Sequence, residues 1–226
     1  VISGKTKGAE VLLRWKSNEF GNISPGEFIP LAEATSLINP IGRWVLKEAC
    51  LKNLEWLDRG FSPITICVNV SVVQIQQEGF LDSVKDILEE TKLPPEYLEL
   101  EITESILMKY VKQNLLILDE LKALGIKIAL DDFGTGYSSL SYLRILPINK
   151  LKLDKSFIDE IHLSESNKSI VEGLIELAHK IGITVIAEGV EIKDQYSVLR
   201  EINCDEIQGY YFSRPISADE FERFIK

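Results

Sequence analysis

The residues able to do chemistry in this chain stand where apolar runs end. Asn69 closes Ile-Cys-Val-Asn, Glu101 closes Leu-Glu-Leu-Glu, and Asp131 and Asp132 close Ile-Ala-Leu-Asp-Asp. Lys152 and Asp154 sit in Leu-Lys-Leu-Asp, Glu188 closes Val-Ile-Ala-Glu, and Gln208 follows the last apolar run. Carboxylates gathered at one place repel one another unless cations lie between them. Oxygen donors from Asp, Glu and Asn suit hard Mg²⁺ or Mn²⁺. The adjacent Asp131 and Asp132 suit a pair of ions. Two ions about 3.5–4 Å apart hold both the attacking and the leaving oxygen of an in-line displacement at phosphorus. A lysine in the same place orients or deprotonates the attacking water. Taken singly, each residue is equally well a polar side chain leaving a strand; together they read as a site. Of Glu99 and Glu101, one is expected to face inward and the other outward. Gly134-Thr135-Gly136 is read as a turn beside the Asp pair, since a bare G-x-G is weak evidence for a phosphate loop.

Little else in the composition offers catalysis. There are only two histidines, His162 and His179, and neither has a partner at metal-ligand spacing, which disfavours a zinc site or a Ser-His-Asp triad. The formal charge of −10 disfavours a nucleic-acid polymer as partner. Cys50, Cys67 and Cys204 are widely spaced and form no C-x-x-C. They read as reduced, buried thiols of a cytoplasmic protein, with Cys67 in the core. No apolar run reaches the roughly 18 residues that span a bilayer, and the start has no signal-peptide character. The opening Val1-Ile2-Ser3, without an initiator Met, is expected to belong to a longer protein.

The elements that must position these residues alternate. Strand character is expected over Glu10 to Trp15, Thr65 to Asn69, Tyr97 to Ile102, Ile126 to Asp131, Lys150 to Leu153, Thr184 to Ala187 and Glu206 to Gln208. Between them run helical stretches. Leu115, Leu118, Leu121 and Leu124 recur every three residues up to Gly125, and Ile170, Leu174, Leu177 and Ile181 do the same before Gly182. Repeated strand–helix units imply a parallel sheet with right-handed crossovers. About seven strands in a single 1–226 domain imply an α/β barrel, whose site sits at the C-terminal mouth.

At these residues the chain resembles the EAL-domain family of cyclic di-GMP phosphodiesterases. The likeness runs from Gly8 to about Phe221 and is strongest over Asp131-Asp132-Phe133-Gly134-Thr135-Gly136-Tyr137-Ser138-Ser139-Leu140. Also similar are Glu10-Val11-Leu12-Leu13-Arg14-Trp15, Val68-Asn69-Val70-Ser71, Glu101-Ile102-Thr103-Glu104-Ser105, Lys152-Leu153-Asp154, Ala187-Glu188-Gly189-Val190-Glu191 and Gln208-Gly209-Tyr210. The resemblance implies a modified TIM-type (β/α)8 barrel that hydrolyses cyclic di-GMP to linear pGpG with two ions of Mg²⁺ or Mn²⁺.

By the same resemblance, Glu10, Asn69, Glu101 and Asp131 ligate the first ion. Asp131 bridges to the second, which Asp132 also binds. Lys152 and Glu188 position and activate the water, and Gln208 holds metal-bound water; which group accepts the proton is left open. Glu104 anchors the loop 133–143 and couples the site to a homodimer surface. Leu12 and Arg14 touch the ligand, Arg14 through a phosphate, with Asp154 and Glu191 nearer the guanine or the loops around it. Sensory or cyclase-like domains are the implied fused partners.

Two departures stand out. Val11 replaces the alanine of the family's signature triplet, for which a modest loss is expected. The family's first N-terminal strand, with its Gln-Pro-Ile segment, is absent. The barrel is therefore expected to be open at one edge, with one ligand contact fewer, unless the missing piece lies outside this sequence. The alternative is a receptor that binds cyclic di-GMP without cutting it, which the retained ligand positions disfavour.

Overall fold

The computed structural model describes residues 4–104, 111–134 and 143–226. In chain order the strands are β1 (Gly8–Val11), β2 (Trp15–Ser17), β3 (Gly21–Ile23), β4 (Thr65–Asn69), β5 (Leu98–Thr103), β6 (Lys127–Phe133), β7 (Lys150–Leu153), β8 (Thr184–Ala187) and β9 (Glu206–Ile207). The helices are α1 (Pro25–Ala34), α2 (Ile38–Asp58), α3 (Val72–Ile75), α4 (Phe80–Thr91), α5 (Val111–Ala123), α6 (Lys155–Ile158), α7 (Glu165–Lys180), α8 (Lys193–Glu201) and α9 (Ala218–Phe221).

Seven strands form one parallel sheet in the order β1-β4-β5-β6-β7-β8-β9, and β2 and β3 form a separate antiparallel hairpin. Side chains alternate across the sheet. One face buries Leu98, Leu100, Ile102, Ile128, Leu130, Leu151, Leu153 and Val185, which join Leu118 and Leu121 of α5 and Val171 and Ile175 of α7 in one apolar core. Full burial of each such side chain contributes about 1.5–3 kcal/mol. The opposite face is polar. Two helices hand directly to strands through Gly125 (φ +95°) and Gly182 (φ +77°), left-handed positions that suit a residue without a Cβ.

The edge strands β1 and β9 share no backbone pairing. Even so, Gln208, next after β9, donates from Nε2 to Glu10 Oε2 on β1 at 2.7 Å. The sheet is therefore curled until its edges meet, giving a (β/α) barrel with an open seam, as expected for one strand fewer than eight. One expected strand is corrected. The run Glu10 to Trp15 is not continuous: β1 stops at Val11, and Trp15 opens the hairpin, its ring edge-on to Phe28 at 5.7 Å.

Candidate active site

The polar face of the curled sheet carries its side chains in rings, and the ring at the strands' C-terminal ends gathers most of the expected residues. Lys152, on β7, is among the largest fully buried side chains, at 1% exposure. Its Nζ lies 2.8 Å from Glu101 Oε2, 3.0 Å from Asp131 Oδ1 and 2.8 Å from Glu188 Oε1. Glu10 completes the ring across the seam. Its Oε1 accepts from Asn69 Nδ2 and its Oε2 from Gln208 Nε2, both at 2.7 Å. Each oxygen of Glu10 is thus fixed by an amide from a neighbouring strand end.

The local backbone explains the Asp pair. Adjacent residues of a regular strand point to opposite faces. Between Leu130 and Phe133 the register of β6 against β7 shifts, and Asp132 takes the left-handed φ of +53°. This irregular backbone breaks the alternation and leaves Asp132 near enough to the mouth to feel the charges of Asp131, Asp154, Lys152 and Glu10. Gly134 follows at φ +97°, where a Cβ would meet the Phe157 ring at 2.2 Å, so only glycine fits. Its N–H points to Glu104 Oε2 at 3.4 Å, which ties the buried Glu104 to the turn after the Asp pair. Most of the loop 133–143, Thr135 and Gly136 among it, lies outside the described residues, so the expected homodimer surface beside it is not described either.

Electrostatics sets this ring apart. Burial raises Glu101 to about 8, with Glu10 and Asp131 adding to it against the pull of Lys152. Burial likewise raises Glu188 to about 7, opposed by Lys152 and reinforced by Asp131 and Glu10. Burial and then the like charges of Asp131 and Asp154 push Asp132 upward. For Lys152, burial works against the ammonium, but Glu101, Glu188, Asp131 and Glu10 outweigh it and hold its pKa above the ordinary lysine range. Among the described residues, Glu101, Asp131 and Glu188 crowd that one ammonium, and Glu10 and Asp132 lie within reach of its charge. Further cations would satisfy the excess, and the donors are hard oxygens of the kind Mg²⁺ and Mn²⁺ take.

Leu12, Arg14, Asp154 and Glu191 line the same cleft as Glu10, Glu101, Asp131, Lys152, Glu188 and Gln208. Arg14 donates to its neighbour Leu13 O at 3.0 Å. Asp154 caps α6 through Ser156 N–H at 3.0 Å, and Glu191 pairs with Lys155 Nζ at 2.6 Å.

One expectation is wrong, and it hid a second ring. Glu99 and Glu101 are two residues apart, so both point into the barrel, at 1% and 3% exposure. Glu99 belongs to a lower ring whose members do not stand out in the sequence. Lys150 Nζ lies 3.0 Å from Glu99 Oε1 and 2.8 Å from Glu206 Oε2. Cys67 Sγ donates to Glu99 Oε1 at 3.2 Å, and Lys127 Nζ to Thr65 Oγ1 at 2.9 Å. Lys150, Glu99 and Glu206 precede Lys152, Glu101 and Gln208 by two residues each, and that spacing was the available signal. Ligand atoms of Cys67, Glu99 and Glu101 all lie within 4.8 Å of one another. That trio suits a metal less well than the mouth does. Lys150 already faces Glu99, while burial and then the Glu99 and Glu101 charges keep the Cys67 thiol protonated.

Comparison with known proteins agrees with this geometry. The family model of the EAL domain matches residues 1–215. The bifunctional diguanylate cyclase/cyclic di-GMP phosphodiesterase MucR of Pseudomonas aeruginosa is 43% identical over 218 residues, covering 96% of this chain and 32% of that protein. Cyclic di-GMP phosphodiesterase NbdA of the same organism is 40% identical, covering 100% of this chain and 29% of its own length. This chain thus spans about a third or less of these multidomain relatives. A solved structure of the PaMucR phosphodiesterase in complex with c-di-GMP superposes with a TM-score of 0.89 at 43% identity, covering 95% of this chain and 87% of that one. Among the described residues no helix is long and apolar enough to cross a membrane. By family match, by identity and by fold, this chain belongs to the EAL domain family.

Proposed function

We propose that this chain hydrolyses one phosphodiester bond of cyclic di-GMP, releasing linear pGpG, with two divalent ions of Mg²⁺ or Mn²⁺. The observation that carries the reading is a buried ring in which Glu101, Asp131 and Glu188 share the one ammonium of Lys152, with Glu10 and Asp132 beside them. Glu10, Asn69, Glu101, Asp131 and Asp132 would hold the ions. Bound there, such cations supply positive charge to the attacking and leaving oxygens of the phosphodiester.

The chain's own residues do the rest. Asn69 and Gln208 fix both oxygens of Glu10, so that ligand needs little reorganisation. Lys152 and Glu188, 2.8 Å apart, orient the water and move its proton. Glu188, raised to about 7, exchanges a proton near neutrality, which suits general acid–base work. Arg14 stands on the cleft wall to take a phosphate oxygen, with Leu12, Asp154 and Glu191 nearby for the base and the loops around it. Glu104 links this ring to the loop 133–143 and through it to a homodimer surface. The whole protein is a cytoplasmic signalling enzyme in which this domain is joined to sensory or cyclase-like domains. The named activities of MucR and NbdA support the choice of substrate.

The test is chromatographic detection of pGpG after incubation with cyclic di-GMP and Mn²⁺, with and without chelator. Turnover is expected only without chelator, and Glu10→Ala and Asp131→Asn are each expected to abolish it. Undiminished turnover in either variant would refute the ligand assignment. Tight binding without pGpG would leave the chain a receptor.

A further inference from the structure

We propose that Lys150 is a positioning residue for the mouth: it holds the strands that carry Glu101 and Gln208 in the curl that brings Glu10 into the ring. This rests on reading the mouth as a divalent-cation site. Lys150 lies on β7. Its Nζ reaches Glu99 on β5 at 3.0 Å and Glu206 on β9 at 2.8 Å. In the sheet β6 separates β7 from β5, and β8 separates β7 from β9. The ammonium therefore ties together strands that share no backbone hydrogen bond with its own, across the concave face.

The arm to β9 matters most. That strand has two residues, it pairs only with β8 through Ile186↔Glu206 and Ala187↔Ile207, and its other side faces the seam. Backbone pairing on one side fixes its register but constrains its inward tilt weakly. The Lys150–Glu206 contact, inside the barrel with the lysine side chain 12% exposed, supplies an inward tether. Two residues beyond Glu206, Gln208 donates to Glu10 across the seam. The other arm holds Glu99, two residues before Glu101. One side chain below the mouth thus sets two of the strands that build it, in the manner of groups behind metal ligands that orient them.

Charge and position predict opposite signs, which makes the test sharp. On charge alone, removing an ammonium below an acidic mouth should tighten cation binding. Loss of positioning should weaken it. Mn²⁺ binding is measured by isothermal titration calorimetry on the wild-type chain, on Lys150→Met and on the double variant Lys150→Met/Glu206→Gln. The double variant removes one charge of each sign. Both variants are expected to bind Mn²⁺ with a Kd raised roughly tenfold. A Kd for Lys150→Met equal to or below that of wild type overturns the proposal. Should Lys150→Met fail to fold by circular dichroism, the double variant decides, and an unchanged Kd there overturns it equally. No Mn²⁺ uptake by the wild-type chain would remove the metal reading itself, and this proposal with it. Uptake by wild type that the variants match would remove only the role of Lys150.

Discussion

The barrel interior holds two polar rings built on the same strands by the same alternation, and they differ in charge. In the lower ring Glu99 and Glu206 face Lys150, with Lys127 next to Glu99 in the sheet register, so acids and bases balance. In the upper ring Glu101, Asp131 and Glu188 meet the one ammonium of Lys152, and Glu10 and Asp132 feel its charge. Burying a charge is costly unless it is compensated. The lower ring meets most of that cost from within, through Lys150, although among the described residues Glu99 Oε2 is buried without a hydrogen-bond partner. The upper ring falls further short, and its deficit of positive charge is what bound divalent cations would make good. A buried charge imbalance, rather than acidic residues as such, marks the site.

The largest effect expected from breaking this contrast comes from Lys152→Met. It strips the upper ring of its one internal cation and should destabilise the metal-free chain by about 3–5 kcal/mol. Saturating Mn²⁺ should restore more stability to this variant than it adds to wild type. Urea unfolding with and without Mn²⁺ measures both, and equal Mn²⁺ effects in the two proteins would mean that the ring needs no added cation.

A pH series sharpens the contrast next. Glu101 and Glu188 are raised, mainly by burial, from 4.5 to about 8 and about 7. The folded, metal-free chain keeps these protons after the unfolded chain has shed them. Their contribution to stability therefore falls as pH rises from about 4.5 to about 8. A cation held by Glu101 must displace its proton and disfavours the one on nearby Glu188, so Mn²⁺ affinity should climb between about pH 6 and 8.5 with proton release, seen as a buffer-dependent heat of binding. A flat affinity across that range would mean that neither carboxyl gives up a proton on binding.

The smallest effect is expected in the lower ring away from Lys150. Cys67→Ser exchanges one donor to Glu99 for another and should change stability by about 1 kcal/mol and leave Mn²⁺ affinity unaltered. A large drop in Mn²⁺ affinity would place Cys67 among the ligands and dissolve the distinction between the rings.

Much of this was legible in the sequence, for reasons that also explain the gaps. Strands β4, β7 and β8 fall on the expected residues because their apolar runs end sharply at Asn69, at Asp154 and at Glu188. The run from Glu10 to Trp15 overreached. Val11, Leu12 and Leu13 are apolar without marking where the chain leaves the sheet, and β2 and β3 have three residues each, too few for a period to show. The mouth residues were legible because polar groups closing apolar strands are conspicuous. The lower ring was missed although period two placed Glu99 beside Glu101 on one face. Asp131 and Asp132 were read as a pair from their adjacency, but the backbone that allows it was not legible, because regular alternation would have parted them and the register shift after Leu130 leaves no mark in residue types.

That shift bears on how the mouth should be probed. Asp132 adopts a left-handed backbone that alanine resists and asparagine tolerates. An alanine scan would confound two effects there, removal of the carboxylate and distortion of the turn leading to Gly134. Asparagine keeps the shape and discards only the charge, so it is the replacement that isolates what Asp132 contributes chemically.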